Sequence, residues 1–241
     1  MDWLRAAWAW LAALVLTVIF GSGAILTSWV PPRGRTYLFW ARRWAKAVLF
    51  FAGIPVRIEV AESARGLPTG ILMANHESAI DVLVLFLAVP QDVRFLAKKS
   101  IFYVPFLGWS MWLAGFVPVE RDRSDKAKEV FGELADRIRN GLSVLIFPEG
   151  TRSRDGELHE FKKAGFLLAL KSGIPIVPIG IHGSRRILGT RGLILGPGEV
   201  VVRVGEPVPT EGLGIAGRRA LMEKVRSEIF RLSGRAGSAA R

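Results

Sequence analysis

Within the segment 71–83, His76 and Asp81 have the residue types and the spacing for general-base catalysis. An apolar run that predicts a buried strand ends at Asn75, and His76 lies on the turn into an apolar helix that contains Asp81. Five helical residues rotate the chain by about 500°, so the two side chains meet only if His76 precedes the helix and Asp81 lies in its first turns. A histidine held by a carboxylate is a general base with a fixed tautomer. The alternative is a solvated histidine beside an aspartate that only favours the helix N-terminus.

Composition restricts the chemistry. The 241 residues contain no cysteine, which excludes a thiolate nucleophile, a disulfide scaffold and a cysteine-ligated metal. The three histidines are too scattered to predict a zinc site, and neither a P-loop nor a G-x-S-x-G turn occurs. The sequence GLGIAG at 212–217 follows two prolines instead of a strand, so it predicts a loop before a helix and not a dinucleotide site. We therefore expect neither a metal nor a cofactor.

The N-terminal 53 residues predict a membrane anchor. No charged residue occurs from Ala6 to Val30, and about 25 helical residues extend about 37 Å, enough to cross a hydrocarbon core of about 30 Å. Residues 37–53 alternate apolar and basic positions, which favours a second helix in the bilayer interface. Five basic residues lie between positions 33 and 46, against only Arg5 before the first segment, and under the positive-inside rule this predicts a cytoplasmic domain on the inner membrane. A signal peptide is the alternative for the first segment, which either spans or dips into one leaflet, and a buried core helix is the alternative for both segments.

The net charge of +12 predicts attraction to anionic partners. Nucleic acid and anionic lipid both qualify, but the apolar N-terminus and the lack of a nucleic-acid motif favour a phospholipid bilayer.

Beyond the anchor, short apolar runs alternate with helical patterns, which predicts an α/β domain with a mixed central sheet flanked by helices. Strands are predicted at 56–60, 70–74, 94–97, 116–119, 143–147, 174–181 and 199–204. Helices are predicted at 81–89, 124–140, 161–171 and 218–232. The aromatic stretch 100–113 fits a core, a bilayer contact or an acyl-chain pocket. The predicted organisation is an anchor at 1–53, a catalytic domain at 54–232 and a flexible tail at 233–241.

Four sequence blocks occur in a fixed order: NHESAID at 75–81, GFVPVER at 115–121, FPEGTRS at 147–153 and IPIVPIGI at 174–181. Together they resemble the glycerolipid acyltransferases with the NHxxxxD motif, and most closely the bacterial 1-acylglycerol-3-phosphate acyltransferases. The second block departs from that family's usual pattern, because Glu120 replaces an aspartate and Pro118 lies inside the strand. The arginine of that block, Arg121, is retained.

The resemblance implies that His76 is the base and Asp81 its orienting carboxylate. The substrate's hydroxyl takes the place that a serine has in a Ser-His-Asp triad, so no acyl-enzyme forms. Arg121 and Arg152 occupy the family positions associated with the glycerol phosphate, whose oxygens a guanidinium fork matches. The remaining residues predicted for the phosphate site are Glu149, Gly150, Thr151 and Lys98, of which Glu149 would hold a hydroxyl or orient the arginines. Lys98 or Lys99 would stabilise a phosphate or an oxyanion.

The function implied is transfer of a fatty acyl group from acyl-CoA or acyl carrier protein to the sn-2 hydroxyl of lysophosphatidic acid, giving phosphatidic acid. Three alternatives stay open. The acceptor is glycerol 3-phosphate, another lysophospholipid or a lyso-aminolipid; the protein binds anionic lipid without catalysis; or it is a membrane-anchored hydrolase.

Overall fold

The computed structural model describes residues 2–31, 33–89, 93–119, 134–189, 192–193 and 195–235. Within this part of the chain seven strands form one sheet: β1 Val56–Val60, β2 Ile71–Ala74, β3 Val93–Lys98, β4 Val117–Val119, β5 Ser143–Ile146, β6 Ile176–His182 and β7 Val200–Val204. The helices are α1 Asp2–Leu26, α2 Arg33–Phe51, α3 Glu62–Arg65, α4 Ile80–Ala88, α5 Leu107–Leu113, α6 (helical residues 134–139), α7 Lys163–Ser172, α8 Ser184–Ile187 and α9 Arg218–Leu232. Short 3₁₀ helices occupy Lys99–Tyr103 and Ile215–Gly217.

The strand order is β1-β7-β6-β2-β5-β3-β4, and the sheet is mixed. The five strands from β6 to β4 run parallel, whereas β7 is antiparallel to β6 and parallel to β1. All four residues of β2 and of β5 are buried, as expected for central parallel strands that helices cover on both faces. The predicted α/β class with a mixed sheet is confirmed. The predicted helix 124–140 is seen only in residues 134–139, because 120–133 lie outside the described residues.

The N-terminal helices α1 and α2 pack against each other. Trp3–Leu26 of α1 is the one helical segment in the described ranges that is long and apolar enough to cross a membrane, with a mean hydropathy of 2.2 and only 17% of its most apolar window buried. Arg5 ties its start to the end of α2 by donating to the carbonyls of Ala52 and Gly53 at 3.1 and 3.2 Å. A largely unburied apolar helix leaves its outer face for contact with something other than this domain.

Helix α2 belongs to the core as well as to the predicted anchor. Its residues Leu38, Ala45 and Leu49 are buried in the same apolar cluster as α4 and the central strands. Arg42 lies in the segment 37–53 that was predicted to occupy the bilayer interface, but it donates to the carbonyls of Phe86 and Val89 at 3.3 and 2.7 Å. A cation at this position satisfies free carbonyls at the C-terminal end of α4. Arg43 and Lys46 remain exposed.

The C-terminal helix α9 lies against β6. Gly180 makes this contact possible, because a Cβ atom there would lie 2.2 Å from the carbonyl carbon of Leu232. Ser233 is 1% exposed, and Arg235 contacts a carboxylate beside the predicted base. The first three residues of the predicted flexible tail therefore pack on the domain, while 236–241 lie outside the described residues.

Candidate active site

The candidate site lies along one edge of the sheet, where the parallel strands end. β2 is followed by His76, its neighbour β5 by the loop 147–162, and β3 ends at Lys98. Because the carboxyl ends of parallel strands meet at one edge, blocks that are far apart in sequence come together there. Ligands of open α/β sheets bind at this edge.

His76 and Asp81 form a hydrogen bond, with 2.8 Å between His76 Nδ1 and Asp81 Oδ2. His76 precedes α4 and Asp81 lies in its first turn, as their spacing requires. The histidine is 8% exposed and Asp81 is fully buried, so the solvated alternative does not hold. With Nδ1–H donating to the carboxylate, the neutral ring keeps its lone pair on Nε2. No described residue bonds Nε2, which leaves it for the proton of an incoming hydroxyl.

Asp81 also organises the loop that carries the histidine. Its Oδ2 accepts hydrogen bonds from the backbone N–H groups of Glu77 and Ser78 at 2.7 and 2.8 Å. A carboxylate at this position satisfies donors at a helix N-terminus and is favoured by the helix dipole. Its other oxygen, Oδ1, is buried without a partner among the described residues. The Oδ2 atom of Asp81 therefore both orients the imidazole of His76 and caps the N-terminus of α4.

The loop 147–153 holds the backbone of His76 from both sides. Glu149 accepts from the backbone N–H of His76 through Oε1 and from that of His159 through Oε2, both at 3.1 Å. The N–H of Ser153 donates to the carbonyl of His76 at 2.8 Å. Each carboxylate oxygen of Glu149 thus accepts one backbone N–H, and its predicted role of holding a hydroxyl or orienting arginines stays a prediction. Glu149 fixes the position of the candidate base.

The ring of Phe147 packs against the imidazole of His76. It stacks on His76 with 3.8 Å between ring centroids and 16° between ring planes. This contact restricts rotation of the imidazole, so that Nε2 keeps one direction.

Burial raises the pKa of Glu149, although the N–H groups of His159 and His76 oppose the shift. A carboxyl whose folded-state pKa is raised binds more protons when folded, so its contribution to stability is complete below the unfolded value and is lost as the pH rises through the folded value. Wild-type protein should therefore lose free energy of unfolding, relative to Glu149→Gln, as the pH rises from about 4.5 toward 7.

Urea denaturation of both proteins at several pH values measures this difference. The lost hydrogen bond of the glutamine variant is a pH-independent offset of about 1–3 kcal/mol, so the slope carries the test. Parallel curves for the two proteins would contradict the expectation.

Gly150 turns the loop after β5 and brings a lysine over it. The backbone there has φ +76°, which favours glycine, and a Cβ atom would lie 2.8 Å from Nζ of Lys162. The N–H of Lys162 donates to the carbonyl of Pro148 at 2.8 Å. Thr151 and Arg152 are exposed beside this turn, and Arg152 forms no ion pair with a described residue. Lys162 was missed in the sequence, where the lysine pair at 162–163 begins nine positions after the end of the FPEGTRS block.

Of the other two predicted phosphate-binding cations, Lys98 lies within the described residues and Arg121 does not. Lys98 is exposed at the end of β3, two strands from β2 and so about 10 Å along the sheet edge. Arg121 lies outside the described residues, and the strand before it, β4, ends at Val119 on the same edge.

The described ranges contain no group of three or more His, Asp or Glu side chains that could hold a metal ion.

Asn75 is a second residue that the sequence reasoning missed, having treated it only as the end of a strand. Its Oδ1 accepts from the N–H of Ile181 at 2.7 Å, and its Nδ2 donates to the carbonyl of Ile181 at 2.9 Å. Ser78 similarly donates to the carbonyl of Leu188 at 2.7 Å. These bonds fasten residues 75–79, called the catalytic loop below because they carry the candidate base, to β6 and to the segment after α8.

An apolar cavity of about 550 Å³ opens near the ends of β3 and β4. Its lining is mostly aromatic: Lys99, Phe102, Tyr103, Trp109, Trp112, Leu113 and Pro118. The volume is within the range of about 300–1,000 Å³ that small-molecule sites occupy. The cavity is open to the surface, because Tyr103, Trp109 and Trp112 in its wall are 72%, 51% and 69% exposed, so the aromatic stretch fits both the predicted acyl-chain pocket and the predicted bilayer contact.

Comparison with known proteins agrees with this geometry. Residues 55–182, more than half of the chain, match the model of the acyltransferase family. The chain belongs to this family.

The relatives bear more specific names. The chain is 33% identical over 198 residues to a chloroplastic 1-acyl-sn-glycerol-3-phosphate acyltransferase of Arabidopsis thaliana, covering 81% of this chain and 54% of that protein. It is 30% identical over 181 residues to the human beta form, covering 75% of this chain and 65% of that protein. The chain thus spans between about half and two thirds of these relatives. The crystal structure of the lysophosphatidic acid acyltransferase PlsC from Thermotoga maritima matches all of this chain and 97% of that one, with a TM-score of 0.84 at 24% identity, which establishes a common fold.

Proposed function

We propose that this protein transfers a fatty acyl group from acyl-CoA or acyl carrier protein to the sn-2 hydroxyl of lysophosphatidic acid, giving phosphatidic acid. The observation that carries the proposal is the His76–Asp81 pair at 2.8 Å, with Nε2 left without a described partner at the ligand-binding edge of the sheet. Family membership and the names of the relatives support the choice of reaction.

In the proposed reaction Nε2 of His76 takes the proton of the acceptor hydroxyl as its oxygen attacks the thioester carbonyl carbon. Asp81 stabilises the imidazolium that forms. The tetrahedral intermediate then collapses, the carbon–sulfur bond breaks, and the proton on Nε2 passes to the departing thiolate. The products are an ester and a free thiol, so the protein returns to its starting state without a covalent intermediate, a metal or a cofactor.

The acceptor's phosphate needs cations beside this base. Arg152 and Lys162 on the loop after β5 are the described candidates, with Lys98 farther along the edge and Arg121 outside the described residues. The apolar cavity is proposed to receive the acyl chain of a substrate, since its aromatic lining offers no charge except that of Lys99.

The unburied apolar face of α1 supports placement in a membrane. Under the positive-inside rule, the basic residues that follow α1 favour the catalytic domain on the cytoplasmic face of the inner membrane.

An acceptor panel tests the proposed activity. Purified protein is supplied with acyl-CoA or acyl carrier protein and with lysophosphatidic acid, glycerol 3-phosphate or a lysophospholipid with a larger headgroup, and the lipid products are identified. We expect phosphatidic acid to be the main product. Preference for another acceptor would overturn the assigned substrate, release of free fatty acid without acceptor would indicate a hydrolase, and no thioester consumption would indicate a lipid-binding protein.

Arg152→Ala should raise KM for lysophosphatidic acid about ten- to hundred-fold, as expected for the loss of one charge-assisted hydrogen bond. The value of kcat should change less, because the contact is made in the ground state as well as in the transition state. Steady-state kinetics at fixed acyl-CoA measures both constants.

Arg219→Ala is the matched control. It removes one positive charge from α9, where Arg219 is exposed and pairs only with Glu223 within the described residues. Equal KM values for the wild type and Arg152→Ala would remove Arg152 from the phosphate site.

A further inference from the structure

Glu77 and Arg235 form a buried ion pair beside the candidate base, although 158 residues separate them. Arg235 Nη2 donates to Glu77 Oε1, and the side chains are only 14% and 10% exposed. Asn75 Nδ2 donates to the same oxygen at 3.1 Å. Glu77 adjoins His76, and its backbone N–H donates to Asp81, so the pair is built into the catalytic loop.

The fold delivers Arg235 to this place by several contacts. The carbonyl of Leu232 accepts from Arg203 Nη1 at 3.0 Å, and that of Ser233 contacts His182 Nδ1 at 3.0 Å. Gly234 then reverses the chain with φ +76°. The end of α9 is thus bonded to β7 and to the end of β6. These bonds place the side chain of Arg235 beside the catalytic loop.

The positive charge of Arg235 lies near several buried negative charges around His76. Three buried carboxylates, those of Asp81, Glu77 and Glu149, surround His76. Burial and the charge of Asp81 raise the pKa of Glu77, and Arg235 opposes this rise. Arg235 also opposes the rise in the pKa of Glu149. One guanidinium therefore acts on two buried carboxylates whose loops hold the candidate base.

We propose that Arg235 is a positioning residue for the reaction proposed above: it holds Glu77 in place, so that the loop continues to present Asp81 to His76, and its charge balances the negative charge around the imidazole. In this role Arg235 acts through Glu77 and does not touch substrate. Arg235 lies outside residues 55–182, the part of the chain that the family model matches. The charged or titratable groups that act on the imidazole and its supporting carboxylates include Asp81, Glu77, Glu149, His159 and Arg235, and the loop after β5 adds the cations Arg152 and Lys162.

The proposal gives opposite shifts for the two halves of the pair. In Arg235→Gln an unpaired negative charge remains near the imidazole, which favours its protonated form, so the acidic limb of the pH profile of kcat/KM moves to higher pH by the order of one unit. At neutral pH kcat/KM then falls about tenfold and recovers as the pH is raised. In Glu77→Gln an unpaired positive charge remains, and the limb moves to lower pH.

The double variant Glu77→Gln/Arg235→Gln should return the limb to within a few tenths of a unit of wild type, and Arg235→Lys should keep it there. Arg231→Gln is the control, because it removes an exposed arginine of α9 that pairs with Glu228. Unshifted limbs in both single variants, or shifts in the same direction, would overturn the proposal and reduce the pair to a structural contact.

A measurement without substrate separates this proposal from the proposed function. The sequence has only three histidines, so the ring of His76 can be assigned by NMR through its loss in His76→Ala and titrated in each variant. Opposite shifts in its titration midpoint support the pair even if no lysolipid is acylated. Acyl transfer by the wild type with identical midpoints in all variants would overturn the role of Arg235 and leave the function standing.

Discussion

His76→Ala should lower kcat/KM for acyl transfer to lysophosphatidic acid by about 10²- to 10⁴-fold at neutral pH, which is the usual contribution of a general base. No other described side chain is bonded to Asp81 in a way that would supply a second base, since its remaining partners are backbone N–H groups. Formation of phosphatidic acid and release of thiol are measured together, so that hydrolysis is distinguished from transfer.

His159→Ala is the matched control for that experiment. The side chain of His159 is half exposed and pairs with Asp155 at 3.1 Å, while its backbone N–H, which alanine retains, is what Glu149 binds. Activity should stay close to wild type. Turnover of His76→Ala at the wild-type rate, with thermal melting unchanged, would reject the assigned base.

Asp81→Asn should lower kcat by about 10²- to 10⁴-fold while leaving the protein folded, because the charge that stabilises the imidazolium is lost. Three donors converge on Oδ2 and none of the described residues bonds Oδ1, so the asparagine oxygen can take the Oδ2 position and keep the loop together. Asp81→Ala removes all three bonds and should also cost about 3–5 kcal/mol of stability.

The two aspartate variants therefore separate chemistry from folding. Kinetics and urea denaturation are measured on both, with Asp136→Asn as the control for loss of a charge, since Asp136 is exposed and pairs only with Arg139 in the described structure. Full activity in a folded Asp81→Asn protein would show that the carboxylate has no part in catalysis.

The strands were predictable because most of them are short apolar runs ended by a glycine, a proline or polar residues. Val56–Val60 and Arg218–Leu232 have the predicted bounds, and β2 differs from its prediction by one residue. The order of the strands was not predictable. β7 inserts between β1 and β6, and its pairing with β1 joins residues 144 positions apart, such as Val56 and Val200, which depends on packing of the whole sheet.

The site was predictable where local spacing determines geometry. Asp81 lies five positions after His76, and a turn followed by a helix brings them together. Glu149 shows the limit, because its motif gave the residue type but not the direction of its bonds. Arg235 lies in a stretch of glycine, serine and alanine that predicts a loose tail, and only the fastening of α9 to β6 brings it to Glu77.

The packing of α2 limits how far this protein can be shortened from its N-terminus. A fragment starting after residue 53 would expose to water the apolar flank of α4 that Leu38, Ala45 and Leu49 now cover, and such a surface promotes aggregation. It would also strip Arg42 from the end of the helix whose beginning carries Asp81. A detergent that loosens the packing of α1 and α2 is therefore expected to disturb the site at α4 as well. Detergents for purification should be compared by the turnover of the purified protein as well as by its yield.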